Sequence, residues 1–122
     1  MKTILFSVLI LFSINGFAFN WKKVSENSLG SSYYVDNIKK HNGLVYYWTL
    51  VDLLEPLSDG TNSYIDKFKV DCVKEKRTWL NETSYSQSMG KGKILEDSSP
   101  NKIEYPKPKE FGYTSMKFAC DY

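Results

Sequence analysis

The chain has 122 residues, with 16 lysine or arginine residues and 14 aspartate or glutamate residues, so its formal net charge is +2 at pH 7. This near balance excludes the strong electrostatic field that nucleic-acid or anionic-membrane binding requires, and the length fits one small domain. Aromatic residues make up 16% of the chain, and in a core of limited size these large rings must supply much of the buried surface.

The N-terminal segment is typical of a signal peptide. A mostly apolar run over residues 3–14 is followed by the small residues Gly16 and Ala18, which predicts cleavage after Ala18. The run is about a dozen residues long and too short to cross a bilayer of roughly 30 Å as a helix, although a retained N-terminal anchor stays open as the alternative. We therefore predict a signal peptide over 1–18 and a single domain over 19–122. No cysteine lies near the cleavage site, so we expect export to the periplasm, the medium or the cell surface without a lipid anchor.

The first half of this domain predicts three strands. Residues 21–24 and 32–35 form short strand patterns, and Asp36 is placed to cap a brief helical turn that ends at Asn42-Gly43. Leu44–Asp52 is apolar on both faces at period 2, which predicts a central strand covered on both sides.

The second half predicts further strands and one helix. The alternation over residues 63–72 indicates a half-exposed antiparallel strand, and Phe111–Asp121 has apolar residues at helical spacing. The remaining predictions in chain order are a surface loop over 53–62, a hairpin tip over 74–76, a strand over 77–85, a turn over 87–92, a short strand over 93–96 and a proline-bearing irregular segment over 97–110.

The predicted fold class is α+β, with about five or six antiparallel strands in one sheet packed by a C-terminal helix and tied by one disulfide. Cys72 and Cys120 are the only cysteines, and an even count in an exported chain favours a bridge between them. Two buried free thiols are the alternative. A metal site is not expected because His41 is the only histidine.

Catalysis is not expected, and neither is a cofactor. His41 lies in a polar turn, with no serine or cysteine nucleophile beside it in sequence. Asp36, Asp52 and Asp71 could form the carboxylate pair that hydrolases use, but each lies at a strand end, where aspartate ordinarily caps or turns the chain.

Basic residues crowd the second half of the chain, with aromatic residues between them. Such a surface could bind an anionic glycan or a partner protein, whereas the alternative is a solvated sheet edge on which lysines discourage edge-to-edge pairing. The candidate interaction residues are Arg77, Trp79, Tyr85, Lys91 and Lys93.

Several stretches together make the chain resemble the surface-adhesin protein E family, small exported proteins of Gram-negative bacteria. The similarity covers nearly the whole predicted domain. The residues on which it rests are Trp21-Lys22-Lys23-Val24, Tyr34-Val35-Asp36, Ile38, Gly43, the strand through Trp48, Leu50 and Asp52, Ser63, Asp71-Cys72, Arg77, Tyr85, Met89 to Gly92, Pro106 and Ala119-Cys120.

The resemblance implies an antiparallel sheet flanked by helices, a disulfide and no catalysis. It also implies an outer-membrane adhesin that binds extracellular-matrix and serum proteins such as vitronectin and laminin, and it leaves a homodimer open. Adhesive members are lipid-anchored, and this chain has no lipobox cysteine after its predicted signal peptide. We expect an exported interaction domain that acts through the edge strands and loops after Cys72. The alternative is a periplasmic carrier or inhibitor that holds a small ligand between the sheet and the helix.

Overall fold

The computed structural model describes residues 19–122, so the predicted signal peptide lies outside the described residues. Seven strands, one short 3₁₀ turn and one α-helix make up this part of the chain. The elements are β1 (Lys22–Glu26), β2 (Ser32–His41), β3 (Leu44–Asp52), β4 (Ser63–Asp71), β5 (Lys76–Tyr85), the turn Ser88–Gly90, β6 (Ile94–Ser98), β7 (Lys102–Glu104) and α1 (Phe111–Asp121).

Strands β1 to β6 form one antiparallel sheet in the order of the chain. One edge of β5 pairs with β6 through residues 82–85 and with β7 through residues 77–79. β3 therefore lies inside the sheet between β2 and β4, as its apolar pattern predicts. The fold class predicted from the sequence is confirmed, although β7 falls inside the segment that was predicted to be irregular.

One face of the sheet is covered by α1, which packs across β1, β2 and β3. Met116 and Ala119, three residues apart on the same side of the helix, are fully buried against this face. The buried cluster between helix and sheet consists of Val35, Val45, Tyr47, Phe68, Val70, Met116 and Ala119. This cluster is the main core of the domain.

A disulfide fastens α1 to the sheet. Cys72 follows the end of β4 and bonds to Cys120 in the last turn of α1, with a sequence separation of 48. The pairing predicted from the cysteine count is thus confirmed. In the chain-entropy model, closing a loop of this length stabilises the folded state by roughly 4 kcal/mol.

The predicted helical turn after Asp36 is wrong. β2 continues as extended chain to His41, and its pairing with β3 is interrupted by a bulge between Asp36 and Lys39. Asn37 takes the left-handed conformation there, with φ of 56°. A short polar side chain tolerates this conformation, so the sequence signal that suggested a helix start belongs to a β-bulge.

A second bulge alters which residues of β5 share a face. Trp79 pairs with Phe68 and Asn81 pairs with Lys67, so Leu80 is an extra residue in the ladder. Trp79 therefore lies on the helix side of the sheet, and Tyr85 lies on the opposite side. Strict alternation over the predicted strand 77–85 places Trp79 and Tyr85 on one face. That prediction is wrong, because alternation fails at a bulge.

Candidate functional site

The five candidate residues singled out from the sequence do not come together on one surface. Trp79 lies on the helix side of the sheet and Tyr85 on the opposite side, as described above. Lys91 and Lys93 are exposed in the turn before β6. Arg77 is only 8% exposed.

Arg77 is a structural side chain. Its Nη2 and Nε donate to the same oxygen of Glu104 at 2.7 and 3.1 Å, and this ion pair joins β5 to β7. Nη1 donates to the hydroxyl of Tyr47 at 3.3 Å and to the carbonyl of Gly112 at 3.4 Å. The guanidinium also lies 3.9 Å from the centroid of the Phe68 ring. Arg77 thus connects the sheet to the start of α1 and is not available to a partner.

The aspartates considered for acid–base chemistry also do not meet. Asp52 pairs with Ser63, at the start of β4, whereas Asp71 ends that strand, so the length of the strand, about 26 Å, separates them. Asp36 accepts a hydrogen bond from Lys22 at 3.2 Å, and Asp52 accepts one from the backbone of Met89 at 2.8 Å. Each carboxylate therefore has a structural partner of its own.

The face of the sheet opposite α1, which we call the open face, has side chains of a different kind. Tyr46 and Trp48 of β3 point to this face and are half-buried. This corrects the prediction that β3 is covered on both sides. In the register of the sheet, Tyr46 lies between Lys39 of β2 and Lys69 of β4, and Lys67 lies beside Trp48. The centre of the open face is therefore aromatic on β3. Tyr46 has a lysine on each side, whereas Trp48 has Lys67 on one side and Asp36 on the other.

Aromatic side chains continue from Trp48 towards β1. The ring of Phe19 lies 5.7 Å from that of Trp48 in an edge-on arrangement, and it stacks on Trp21 at 4.4 Å. On the other side, the ammonium of Lys67 lies 5.2 Å from the centroid of the Trp48 ring, within cation–π range. The half-buried Trp48 is thus held in place by neighbours on two sides.

The far end of the open face is closed by the turn Ser88–Gly90. The backbone N–H of Gly90 donates to Ser63 Oγ at 2.9 Å. Gly90 has φ of +69°, and a Cβ there would lie 2.7 Å from Cδ1 of Ile65, so glycine is required both by the backbone and by the close approach. Beneath this turn Leu50 is fully buried and Ile65 is 8% exposed. Within residues 19–122, the open face is therefore covered at this end and left uncovered over Tyr46 and Trp48.

A shallow hollow lies over Tyr46 and Trp48. Its walls contain three lysines and no carboxylate. The lining residues are Asn37, Lys39, Lys40, His41, Tyr46, Trp48 and Lys67. Positive charge around half-buried aromatic rings suits an anionic partner that also presents an apolar group. Sequence alternation placed Lys67 and Lys69 on the solvent side of β4, but the aromatic residues of β3 were assigned to the core, and so the combination was missed.

A buried carboxylate lies on the other side of the sheet. Asp66 of β4 pairs with Glu82 of β5 and accepts a hydrogen bond from the indole of Trp79 at 3.3 Å. Burial, together with the adjacent charge of Glu82, raises the pKa of Asp66 to about 8. The neighbouring Thr49 is 1% exposed, and its hydroxyl has no hydrogen-bond partner among residues 19–122. Because the folded chain keeps the Asp66 carboxyl protonated at a pH at which the unfolded chain releases the proton, the stability of the fold depends on pH.

Residues 19–122 contain neither a metal site nor a membrane-spanning helix. That part of the chain contains no group of three histidine, cysteine, aspartate or glutamate side chains arranged to hold a metal ion. Its single α-helix is too short and too polar for a membrane span.

Comparison with known proteins gives one family and one fold. The family model described as surface-adhesin protein E matches residues 21–121. No curated protein matches the chain. Among solved structures, two of protein E from Haemophilus influenzae are similar. Crystal form II has 18% sequence identity and a TM-score of 0.61 over 83% of this chain and 87% of that one. A second structure has 18% identity and a TM-score of 0.62 over 83% of each chain.

Proposed function

We propose that this chain, which belongs to the surface-adhesin protein E family, is an exported, non-catalytic domain that binds another protein through its open face. The observation that supports this most directly is the centre of the open face, which residues 19–122 leave uncovered and where the half-buried Tyr46 lies between two lysines and the half-buried Trp48 beside one. The family match supports an adhesin-like, exported domain. The choice of the open face as the binding surface rests on Tyr46, Trp48 and the lysines that line the hollow over them.

The open face has the composition of a protein-binding surface. Tyrosine and tryptophan are the residues in which binding energy is most often concentrated, because they bury a large area at a small cost in side-chain entropy. Tyr46 and Trp48 are already restrained by the sheet and by their neighbours, so little further ordering is needed on binding. The lysines around them would select the partner by charge and speed its association.

The alternative function of a small-ligand carrier has less support. It required space between the sheet and the helix, and that space is filled by the core cluster, in which Tyr47 and Met116 are fully buried. The hollow on the open face is shallow and lies open to solvent, unlike the enclosed sites that small-molecule carriers use.

A homodimer through the centre of the open face is disfavoured by charge. A two-fold interface places the same patch of both copies together, so Lys39 and Lys67 of one copy would meet the lysines of the other. We therefore propose a different protein as the partner, either of the extracellular matrix or of the bacterial envelope. The proposed location is the periplasm, the medium or the cell surface.

Binding of the purified, disulfide-bonded chain to immobilised vitronectin and laminin tests the proposal. We expect saturable binding to at least one of them, and we expect Trp48→Ala to weaken it about tenfold or more while the exposed control variant Tyr105→Ala does not, since Tyr105 is 63% exposed and lies outside the open face. Denaturant unfolding of both variants shows that they are folded. Absence of binding to both ligands and to fractionated envelope proteins would refute the proposed function.

A further inference from the structure

Among residues 19–122, the lining of the hollow over Tyr46 and Trp48 is basic, and the carboxylates Asp36 and Asp97 line only the adjoining hollow, which shares Lys39 and Trp48 with it. Lys39 and Lys40 border it from β2 and Lys67 borders it from β4, and no acidic side chain lines it. An unbalanced group of like charges is costly in the free protein, and an anionic ligand relieves that cost.

Asp36 of β2 is the carboxylate beside Trp48 on the open face, and it already has a basic partner, Lys22. Asp36 pairs with Trp48 in the register, is 9% exposed, and accepts a hydrogen bond from Lys22 at 3.2 Å. It therefore compensates Lys22 and leaves the lysines of the hollow free to contact a ligand.

We propose that the hollow binds an acidic segment of the partner polypeptide in extended conformation, with carboxylates on the lysines and an apolar side chain on Trp48. This rests on the proposed function and specifies the chemistry of the partner. Lys67 and Lys69 are two residues apart on one face of β4, so they are about 6.6 Å apart along the strand. Alternate side chains of an extended peptide have the same spacing, and a peptide lying along β4 can therefore present a carboxylate to each.

The same geometry places a third positive charge across the aromatic strand. Lys39 is the register neighbour of Tyr46 on the side away from β4, so the lysines of β2 and β4 stand about two strand spacings apart, close to 10 Å. Tyr46 thus has an ammonium group on each side, whereas Trp48 has Lys67 on one side and Asp36, which is paired with Lys22, on the other. An extended peptide that lies between β3 and β4 can direct one set of alternate side chains, the acidic ones, to Lys67 and Lys69 and the other, apolar set to Tyr46 and Trp48.

A polypeptide fits these features better than a sulfated glycan. Three lysines around two aromatic rings provide only modest positive charge, and the chain as a whole has a formal net charge of +2. A sulfated polymer binds through a dense basic array, whereas a mixed aromatic and basic surface matches the apolar core and charged rim of a protein interface.

The test uses a fluorescein-labelled peptide of ten residues in which glutamate alternates with leucine. The comparison probes are the same peptide with lysine in place of glutamate, and a labelled heparin oligosaccharide. We expect the glutamate peptide to bind the chain and the lysine peptide not to bind, and we expect the affinity to fall as NaCl is raised from about 50 to 300 mM. The double variant Lys39→Glu with Lys67→Glu should weaken binding of the glutamate peptide by about tenfold or more.

The matched control is Lys107→Glu with Lys109→Glu, which makes the same change in net charge at exposed positions before α1 and outside the hollow. It should leave the affinity for the glutamate peptide unchanged within about twofold. Equal weakening by both double variants would show that only net charge matters and would overturn the proposal. Heparin binding that is lost in the Lys39/Lys67 variant, with no binding of the glutamate peptide, would also overturn it, because the ligand would then be a glycan.

The result for the intact protein ligands separates this inference from the proposed function. If vitronectin or laminin binds and the Lys39/Lys67 variant binds equally well, the proposed function stands and the acidic-segment site is refuted. If neither protein ligand nor any envelope protein binds, the proposed function itself fails.

Discussion

Replacing Arg77 by methionine distinguishes a structural role for this side chain from the role in partner binding that its sequence context suggests. The substitution keeps much of the side-chain volume and removes the guanidinium. It leaves the hydroxyl of Tyr47 without its donor and the carboxylate of Glu104 without its cation. We therefore expect a loss of stability and no specific loss of binding in molecules that remain folded.

The magnitude follows from the burial of the two charges. Removing one partner of a buried ion pair costs about 3 to 5 kcal/mol, because the other charge stays buried without compensation. The side chain of Arg77 is 10% exposed but that of Glu104 is 27% exposed, so the carboxylate can recover part of its hydration. Loss of a hydrogen bond to the buried Tyr47 hydroxyl adds to the cost. We expect Arg77→Met to lower the free energy of unfolding by about 3 kcal/mol.

The assay is equilibrium unfolding in denaturant with the disulfide intact. The matched control Lys91→Met removes one exposed positive charge near the open face and should change the free energy of unfolding by less than about 0.5 kcal/mol. If Arg77→Met is as stable as the control, the reasoning is refuted, because the guanidinium would then not be a buried, paired group.

Three other perturbations test the account. Gly90→Ala should destabilise the fold by more than Gly43→Ala, since both have positive φ but only the Cβ at Gly90 would meet another side chain closely; equal losses of stability in denaturant unfolding would contradict the close approach. Asp66 keeps in the folded state a proton that the unfolded chain releases, so the free energy of unfolding should fall between about pH 4 and about pH 8, by at most about 1.4 kcal/mol per pH unit. Asp66→Asn should flatten that pH dependence in unfolding curves taken at pH 5 and pH 8, and an unchanged slope would show that another group is responsible. The double variant Cys72→Ser with Cys120→Ser should lose about 4 kcal/mol, and an unfolding midpoint equal to that of the oxidised chain would refute the contribution of the bridge.

The elements that the sequence predicts well are those defined by local pattern. Leu44–Asp52 is apolar on both faces at period 2 and rich in β-branched and aromatic residues, and the strand occupies the same residues in the structure. Phe111–Asp121 combines helical spacing with a cysteine in its last turn, and both the helix and its bridge are present. Local periodicity was sufficient to predict this strand and this helix, and the cysteine count was sufficient to predict the bridge.

The errors arise where tertiary partners decide the outcome. The bulge at Asn37 depends on pairing with β3, and the bulge near Leu80 depends on pairing with β4, so neither is visible in the alternation of one strand. The burial of Arg77 depends on Glu104, which is 27 residues away in β7. Nothing in the sequence around Arg77 indicates that this side chain is buried or that its ion-pair partner lies in a distant strand.

The candidate site was missed for a related reason. Aromatic residues in the most apolar strand of a small domain were assigned to the core, which is correct for Tyr47 and incomplete for Tyr46 and Trp48. Whether a second layer covers a sheet face is decided by the whole chain. In the part of the chain that the structure describes, one helix covers one face of the sheet, and the turn Ser88–Gly90 covers one end of the other.

The indole N–H resonances of the tryptophans test the central claim, which is that binding occurs on the open face and that the helix side is structural. Trp48 lies on the open face, whereas the indole of Trp79 donates to Asp66 on the helix side of the sheet. In ¹⁵N-resolved NMR spectra, addition of the bound protein ligand should shift or broaden the Trp48 resonance and leave that of Trp79 in place. A shift of Trp79 with no change at Trp48 would place the ligand on the helix side and contradict the account.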